Sequence, residues 1–182
     1  TIYANPVARF TAKNVCHGVQ TDFINSSTMP SGGGDYTWRF GDGSTSAVAN
    51  PSYKYNGPGI YGVRLIAVSS FGCKDSVISN VTVFDKPKPG FAVDDVCDGN
   101  AAKFTNITTG ASNYEWDFGD ATTSNVASPT KVYANAGTYN VKLTVNNSTS
   151  CTDAITKAIT IYANPVANFN VSDRCIGQSA VF

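Results

Sequence analysis

One stretch of eight residues occurs twice in this chain of 182 residues: it reads YTWRFGDG at 36–43 and, 78 residues later, YEWDFGDA at 114–121. In both copies aromatic residues occupy alternate positions, as in a strand with one buried face, and Gly-Asp follows the run. A second stretch, TIYANPVARF at 1–10, returns as TIYANPVANF at 160–169. Repetition at this spacing predicts an array of similar modules of about 80 residues.

The repeat spacing sets the expected domain bounds. We expect complete modules at 5–85 and 86–163, the end of a preceding module at 1–4 and the start of a following one at 164–182. Each complete module is long enough for one small hydrophobic core. The short last piece is not expected to fold alone, and the natural protein is expected to be longer. Function should therefore lie in the array and its joints.

The composition excludes several classes of function. Lys plus Arg and Asp plus Glu number 13 each, so the formal net charge is zero, and only 14% of residues are charged. No basic stripe predicts nucleic-acid binding, no charge run predicts an acidic partner, and no apolar run approaches a membrane span. Five cysteines at matched positions favour an oxidising, extracellular compartment.

Apolar residues alternate with period two along the chain, and no long segment has the helical period. Tyr139, Val141 and Leu143, for example, alternate with Asn140 and Lys142. Clusters of Gly, Pro, Asn and Ser separate such runs about every 8–12 residues, which predicts an all-β sandwich of short strands. The predicted strands of the first module are A near 6–13, B near 19–26, C near 35–41, D near 45–49, E near 51–56, F near 59–69 and G near 75–84.

These motifs resemble the PKD (polycystic kidney disease) domain family, whose hallmarks are W-D-F-G-D-G, P-x-H-x-Y and G-x-Y-x-V-x-L. The chain departs from the pattern at Arg39, at Ala121, and at Tyr53 and Lys131, which replace His. We interpret these four as surface or turn positions, and expect no function that depends on that His. The residues that match the core motif are Trp38, Phe40, Asp42, Tyr61, Trp116, Phe118, Asp120 and Tyr139.

The resemblance implies an all-β fold of tandem immunoglobulin-like (PKD-type) sandwiches outside the cell. Short proline-bearing linkers at 85–89 and 163–165 favour semi-rigid joints and hence a rod-like array. The tryptophans are expected in the core rather than as sugar-stacking platforms. The Gly-Asp turns are expected to be capped by the Asp side chain. No metal or other cofactor is expected, and the alternative is a calcium ion, either at the turn residues Asp42, Asp117 and Asp120 or at Asp94, Asp95 and Asp98, beside a joint.

The cysteines fall into two sets of matched positions. Cys16, Cys97 and Cys175 precede the start of strand B, whereas Cys73 and Cys151 lie at the turn between strands F and G. Two pairing schemes remain open. In the first, each complete module holds its own bond, Cys16–Cys73 and Cys97–Cys151.

Strand counting favours the second scheme, an inter-domain bond between Cys16 and Cys151. With seven alternating strands, the A–B and F–G turns lie at opposite ends of a module. A strand of eight residues is ~26 Å long, whereas disulfide Cα atoms lie about 4.4–6.8 Å apart. Stacked modules bring the A–B turn of one beside the F–G turn of the next. This scheme leaves Cys73, Cys97 and Cys175 for modules outside the chain.

The chain is not expected to be an enzyme, because it has one histidine, His17, and no nucleophile–base or metal-ligand motif. Cysteine-bearing tandem arrays of this family resemble large surface adhesins and gliding-motility filaments of Bacteroidetes-type bacteria. That resemblance implies a structural and adhesive segment of an extended secreted or cell-surface fibre. Its expected partners are neighbouring repeats, other fibre subunits or surface polysaccharide. The alternative is a non-catalytic spacer or carbohydrate-binding module of a large extracellular hydrolase.

Overall fold

The computed structural model describes residues 3–30, 33–170 and 176. In that part of the chain the regular elements are β-strands, with no helix, which confirms the all-β class. The strands of the first repeat are β1 (Phe10–Ala12), β2 (Val15–Cys16), β3 (Thr21–Asn25), β4 (Gly34–Arg39), β5 (Thr45–Ser46), β6 (Ser52–Tyr53), β7 (Gly59–Ser69) and β8 (Lys74–Phe84). Those of the second are β9 (Phe91–Ala92), β10 (Val96–Cys97), β11 (Ala101–Lys103), β12 (Thr105–Asn106), β13 (Asn113–Asp117), β14 (Thr123–Ser124), β15 (Thr130–Val132), β16 (Gly137–Asn146) and β17 (Thr152–Tyr162).

The chain forms two compact units that do not coincide with the sequence repeats. The first unit contains Thr1–Lys88 together with two segments of the second repeat, Thr109–Ser112 and Val145–Asp153. The second unit contains Pro89–Thr108, Asn113–Thr144 and the chain from Ala154 onward. The expected domain bounds at 5–85 and 86–163 therefore remain predictions.

Backbone hydrogen bonds explain why the first unit takes in part of the second repeat. The Lys88 N–H donates to the Thr109 carbonyl at 2.9 Å, and the Thr109 N–H returns a bond to the Lys88 carbonyl at 3.1 Å. The Asn147 side-chain amide donates to the Asp85 carbonyl at 2.9 Å. The segment that follows β8 is thus held by polar groups of the second repeat.

The sheets of the first unit follow a sandwich arrangement. One sheet has the order β1-β3-β6, and the other has the order β2-β8-β7-β4-β5. The core between them includes Phe23 from the first sheet and Trp38, Val63 and Leu65 from the second. Because successive residues of a strand point to opposite faces, Arg64, which lies between Val63 and Leu65 in β7, is exposed.

Predicted strand A, near 6–13, is shorter in the structure, and a separate strand follows just beyond it. Strand β1 lies within the predicted range and pairs antiparallel with β3, whereas β2 lies in the other sheet and runs parallel to the end of β8. In that parallel pair Val15 lies opposite Val83 and Cys16 lies opposite Phe84. The chain changes sheets at 13–14, so each sheet receives only a short strand. This placement fixes the position of Cys16 at the far end of β8.

The second repeat has the same arrangement of aromatic side chains as the first. The Trp38 ring lies 5.1 Å from Phe10 and 5.5 Å from Phe23. The Trp116 ring lies 5.0 Å from Phe91 and 5.4 Å from Phe104. Both tryptophans are fully buried, and their indole N–H groups donate at 2.9 Å to the carbonyls of residues 48 and 126. Both side chains therefore belong to cores, where their N–H groups are satisfied.

Candidate functional site

The structure contains a disulfide bond between Cys16 and Cys151, with an S–S distance of 1.99 Å and a Cα–Cα distance of 5.6 Å. The bond joins the two sequence repeats across 135 positions of the chain. Both cysteines lie in the first compact unit, because the turn that carries Cys151 belongs to it. Of the pairings considered from the sequence, this is the inter-domain one.

The register of β8 explains why Cys16 and Cys73 are not bonded to each other. Cys16 lies opposite Phe84, the last residue of β8, whereas Cys73 precedes Lys74, its first residue. A strand rises about 3.3 Å per residue, so roughly 33 Å separate the two ends. The within-module alternative Cys16–Cys73 is therefore incompatible with the observed fold. The second alternative, Cys97–Cys151, is not formed either, because Cys97 is a free thiol.

The turn that presents Cys151 is organised by the side chain of Asn147. Its Oδ1 accepts hydrogen bonds from the Thr149 N–H at 3.1 Å, the Thr149 hydroxyl at 2.7 Å and the Cys151 N–H at 3.0 Å. The backbone closes the turn with a bond of 3.1 Å from the Asn147 N–H to the Cys151 carbonyl. Ser150 takes the left-handed conformation, with φ of 62°. One amide thus holds both this turn and, through Asp85, the segment after β8.

Cys73 lies in a turn with the same hydrogen bonds. The Ser69 N–H donates to the Cys73 carbonyl at 2.9 Å, and the Cys73 N–H donates to the Ser69 hydroxyl at 3.2 Å. Here Gly72 takes the left-handed position, with φ of 81°. The ring of Phe71 stacks on Tyr3, with centroids 3.6 Å apart. A residue before the first repeat thus packs on this turn, and Cys73 is free and half-buried.

Cys97 occupies the backbone setting of Cys16. It lies in β10 opposite Tyr162 of β17, in a parallel pair like that of Cys16. The Asp98 N–H donates to the Tyr162 carbonyl at 2.8 Å, as the His17 N–H does to Phe84. Cys97 is exposed and free. Cys175, the remaining predicted candidate, lies outside the described residues.

The Gly-Asp turn after β4 is capped by the Asp42 carboxylate. One oxygen accepts the Ser44 N–H at 3.0 Å, and the other accepts the Tyr53 hydroxyl at 2.7 Å. Partial burial by itself would raise the pKa of Asp42, but the hydrogen bonds from Ser44 and Tyr53 outweigh it and lower the pKa. The Tyr53 ring stacks on Phe40 at 4.2 Å. Tyr53, interpreted as a surface or turn position, is half-buried, and its ring and hydroxyl are both engaged.

The second repeat builds the same turn with a different side chain. Lys131, at the position of Tyr53, forms an ion pair of 2.7 Å with Asp120. Its ammonium also lies 5.8 Å from the ring centre of Phe118 and 5.6 Å from that of Tyr133. Burial would raise the pKa of Asp120, but the bonds from Lys131 and Thr122 lower it overall. Lys131, interpreted in the same way, is half-buried, at 18% side-chain exposure.

Tyr61 and Tyr139 form the tyrosine corners. Their hydroxyls donate to the carbonyls of Gly57, at 2.8 Å, and Asn135, at 2.9 Å, four residues upstream in each case. Their rings pack on Tyr55 and Tyr133 at 3.9 and 4.1 Å. The corners fix the chain as it enters β7 and β16.

In the predicted acidic group near Cys97, one carboxylate binds the backbone. Asp95 accepts the Thr160 N–H at 2.8 Å, as Asn14 does for Thr82 in the first repeat. Among the described residues no group of three or more His, Cys, Asp or Glu side chains is placed to hold a metal ion. No helix in the described part of the chain is long and apolar enough to cross a membrane.

The fold and its paired turns define a tandem immunoglobulin-like β-sandwich protein. The family model of the PKD domain matches residues 3–83 and 85–176, and the chain belongs to this family. PKD domains are in general non-catalytic accessory modules.

A segment of 36 residues is 58% identical to Collagenase ColA of Bacillus cereus, covering 20% of this chain and 4% of the collagenase. The chain thus spans a small part of that relative. Among solved structures, the PKD1 domain of the Vibrio cholerae metalloprotease PrtV is 33% identical with a TM-score of 0.41, covering 44% of this chain and 99% of that one. The PKD1 domain of Vibrio anguillarum Epp is 29% identical with a TM-score of 0.42, covering 45% of this chain and 96% of that one.

Sequence reasoning missed the residues that build the turns around the cysteines. Asn147 was not identified, although an Asn before Ser and Thr is a common signal for a turn closed by the side-chain amide. The pairing of position 53 or 131 with the turn Asp was also missed. The sequence signal for this pairing is that the equivalent positions hold Tyr and Lys, two different residue types that can both donate a hydrogen bond to a carboxylate.

Proposed function

We propose that this chain is a structural and adhesive repeat segment of an extended secreted or cell-surface fibre, in which disulfides clamp one repeat to the next. The observation that carries the proposal is the Cys16–Cys151 bond between the two repeats. The free cysteines support it. Cys73 lies in a turn like that of Cys151, and Cys97 lies in a parallel strand pair like that of Cys16. We propose that both form the same bond with further repeats, and that the compartment is extracellular.

The bond gives the segment a mechanical property. Tension applied to the ends of the chain passes through Cys16 and Cys151, so the chain between these two cysteines is not extended until the bond is broken. The disulfide therefore limits the forced extension of β3 to β16, whereas β1 and β17 lie outside the closed loop. Such protection suits a fibre that bears load outside the cell.

Single-molecule force spectroscopy tests this function on the whole chain held at its two ends. Reduction should release the 135 positions between the bonded cysteines, which is about 450–490 Å of fully extended chain, less the span that they occupy when folded. The variant Cys73→Ser is the control and should behave like the parent chain. Equal extension before and after reduction would overturn the clamp.

A second candidate function is a non-catalytic module of a large extracellular hydrolase. The identity of 58% over 36 residues to a collagenase favours it. The full-length gene separates the two proposals. A catalytic domain beside these repeats supports the hydrolase, whereas many further repeats with cysteines at the same two positions support the fibre.

A further inference from the structure

A groove of about 490 Å³ lies on the outer surface of the five-stranded sheet of the first unit. Arg39 of β4 and Arg64 of β7 line it together with glycines of both strand regions and Ile78 of β8. None of its lining residues belongs to the cysteine turns. The groove lies on the side of β7 that faces away from the core.

The two arginines are direct cross-strand partners in the register of β4 and β7. Both are exposed, and among the described residues no carboxylate lies within ion-pair distance of either. Side chains directly opposite each other have Cβ atoms about 4.5–5.5 Å apart, and like charges at such a pair destabilise a sheet. Two neighbouring guanidinium groups that have no counter-charge therefore form a site for an anion.

Glycine backbone lines the groove beside the arginines. Gly41 has φ of +90°, and a Cβ atom placed there would lie 3.0 Å from backbone atoms of Gly62. Gly41 and Gly62 therefore approach each other closely through their backbones, and neither adds a side chain to the lining of the groove. Ile78 lies opposite Arg64 and is 56% exposed, so it supplies an apolar wall beside the charges.

The second repeat lacks this combination. At the equivalent positions, 78 residues later, Asp117 replaces Arg39, Lys142 replaces Arg64 and Asn140 replaces Gly62. One acid and one base cancel there, and the glycine is lost. The two-arginine groove is thus a feature of the first repeat and is not required by the fold.

We propose that this groove binds an acidic polysaccharide, with Arg39 and Arg64 holding a carboxylate or sulfate group of one sugar. Guanidinium groups bind such planar or multi-oxygen anions through paired hydrogen bonds. The apolar wall at Ile78 suits the C–H face of a sugar ring. An extended peptide is disfavoured, because β4 and β7 are interior strands with partners on both sides and cannot add another strand. The proposal deepens the adhesive part of the proposed function and rests on it.

Binding is measured on the oxidised chain by calorimetry with polygalacturonate, dextran sulfate, neutral dextran and polyglutamate. We expect binding to polygalacturonate or dextran sulfate that weakens with added salt, and none to neutral dextran. The first two polymers distinguish a carboxylate from a sulfate ligand. Binding to neither, or equally tight binding of polyglutamate, overturns the proposal.

Matched variants locate the site. Arg39→Gln and Arg64→Gln should each weaken binding about tenfold, the loss expected for one charge-assisted contact. Arg39→Asp, which copies the second repeat, should abolish binding, while Lys142→Gln should leave it unchanged. Binding that survives Arg39→Asp overturns the assignment, with circular dichroism confirming that each variant is folded. These variants keep the disulfide, so force spectroscopy still tests the fibre separately.

Discussion

Cys16 and Cys151 are bonded to each other with Cα atoms 5.6 Å apart, although 135 positions of sequence separate them. We predict that Cys16→Ser lowers the free energy of unfolding by about 2–5 kcal/mol, because the unfolded chain loses a large closed loop. Thermal unfolding of the parent and variant, with and without reductant, measures this. Cys73→Ser is the control and should leave the midpoint unchanged. A parent chain whose unfolding midpoint is the same with and without reductant would contradict the prediction.

A non-reducing tryptic map should identify the same bond directly. Trypsin separates the four described cysteines into peptides 14–39, 65–74, 75–103 and 143–157, since it does not cleave before the prolines at 87 and 89. We expect 14–39 to be joined to 143–157. A species that joins 14–39 to 65–74 would show that the pairing in solution is the within-module one.

Gly119 and Gly99 form a matched pair of glycines in the second unit. Their φ angles are 78° and 79°, but a Cβ atom at Gly119 would lie 2.8 Å from the Asn140 carbonyl oxygen, whereas nothing lies within 4 Å at Gly99. Gly99→Ala should cost about 1–2 kcal/mol, the strain of a left-handed residue. Gly119→Ala should cost roughly 2 kcal/mol more, because backbone atoms must move. Equal losses in urea unfolding would disprove the close approach.

Thr21 is fully buried in β3, and its hydroxyl has no hydrogen-bond partner. The equivalent residue of the second repeat is Ala102, which is also buried. We predict that Thr21→Val raises the free energy of unfolding by about 1 kcal/mol, because it removes a desolvated hydroxyl at constant shape. Thr21→Ser keeps the hydroxyl and removes a methyl group, so it should be destabilising. A destabilised Thr21→Val variant in urea unfolding would refute this account.

The Asp120 carboxylate should make the free energy of unfolding depend on pH. Its pKa is lowered from 3.8 on folding, so its contribution is present above pH 3.8 and is lost as the pH falls through the lower folded value. Lys131→Met removes the ion pair but keeps an apolar stem against Phe118 and Tyr133. We predict that this change raises the pKa of Asp120, measured by carbon NMR of its carboxyl group. Asp42, held by Ser44 and Tyr53, should titrate unchanged as the internal control.

Much of the fold could be predicted because its signals are local. Period-two alternation placed long strands near β7 and β8, and the same alternation put Trp38 and Trp116 on the buried face. Strands D and E are much shorter than predicted, with two residues each in β5 and β6. Strand β2, just beyond predicted strand A, was not predicted, because a change of sheet depends on which neighbours are available and leaves no periodicity in the sequence.

The partners of polar and charged residues were less predictable. Tyr53 and Lys131 were interpreted as surface or turn positions, and their bonds to the Asp of the neighbouring turn were not predicted. The Arg39–Arg64 pair was not predicted either, because the sequence contains no run of charged residues. These two residues are 25 positions apart and become neighbours only through the register of two strands.

The sequence alone determined that the protein is a tandem array of β modules with tryptophan cores and glycine–aspartate turns. It could do so because strand periodicity, glycine turns and repeat spacing are properties of short stretches of chain. The tertiary structure decided the rest: the change of sheet after β1, the place of Cys16 at the end of β8, its bond to Cys151, and the pair of arginines on one face. Each depends on strand register, which is set by packing between residues that lie far apart in the chain.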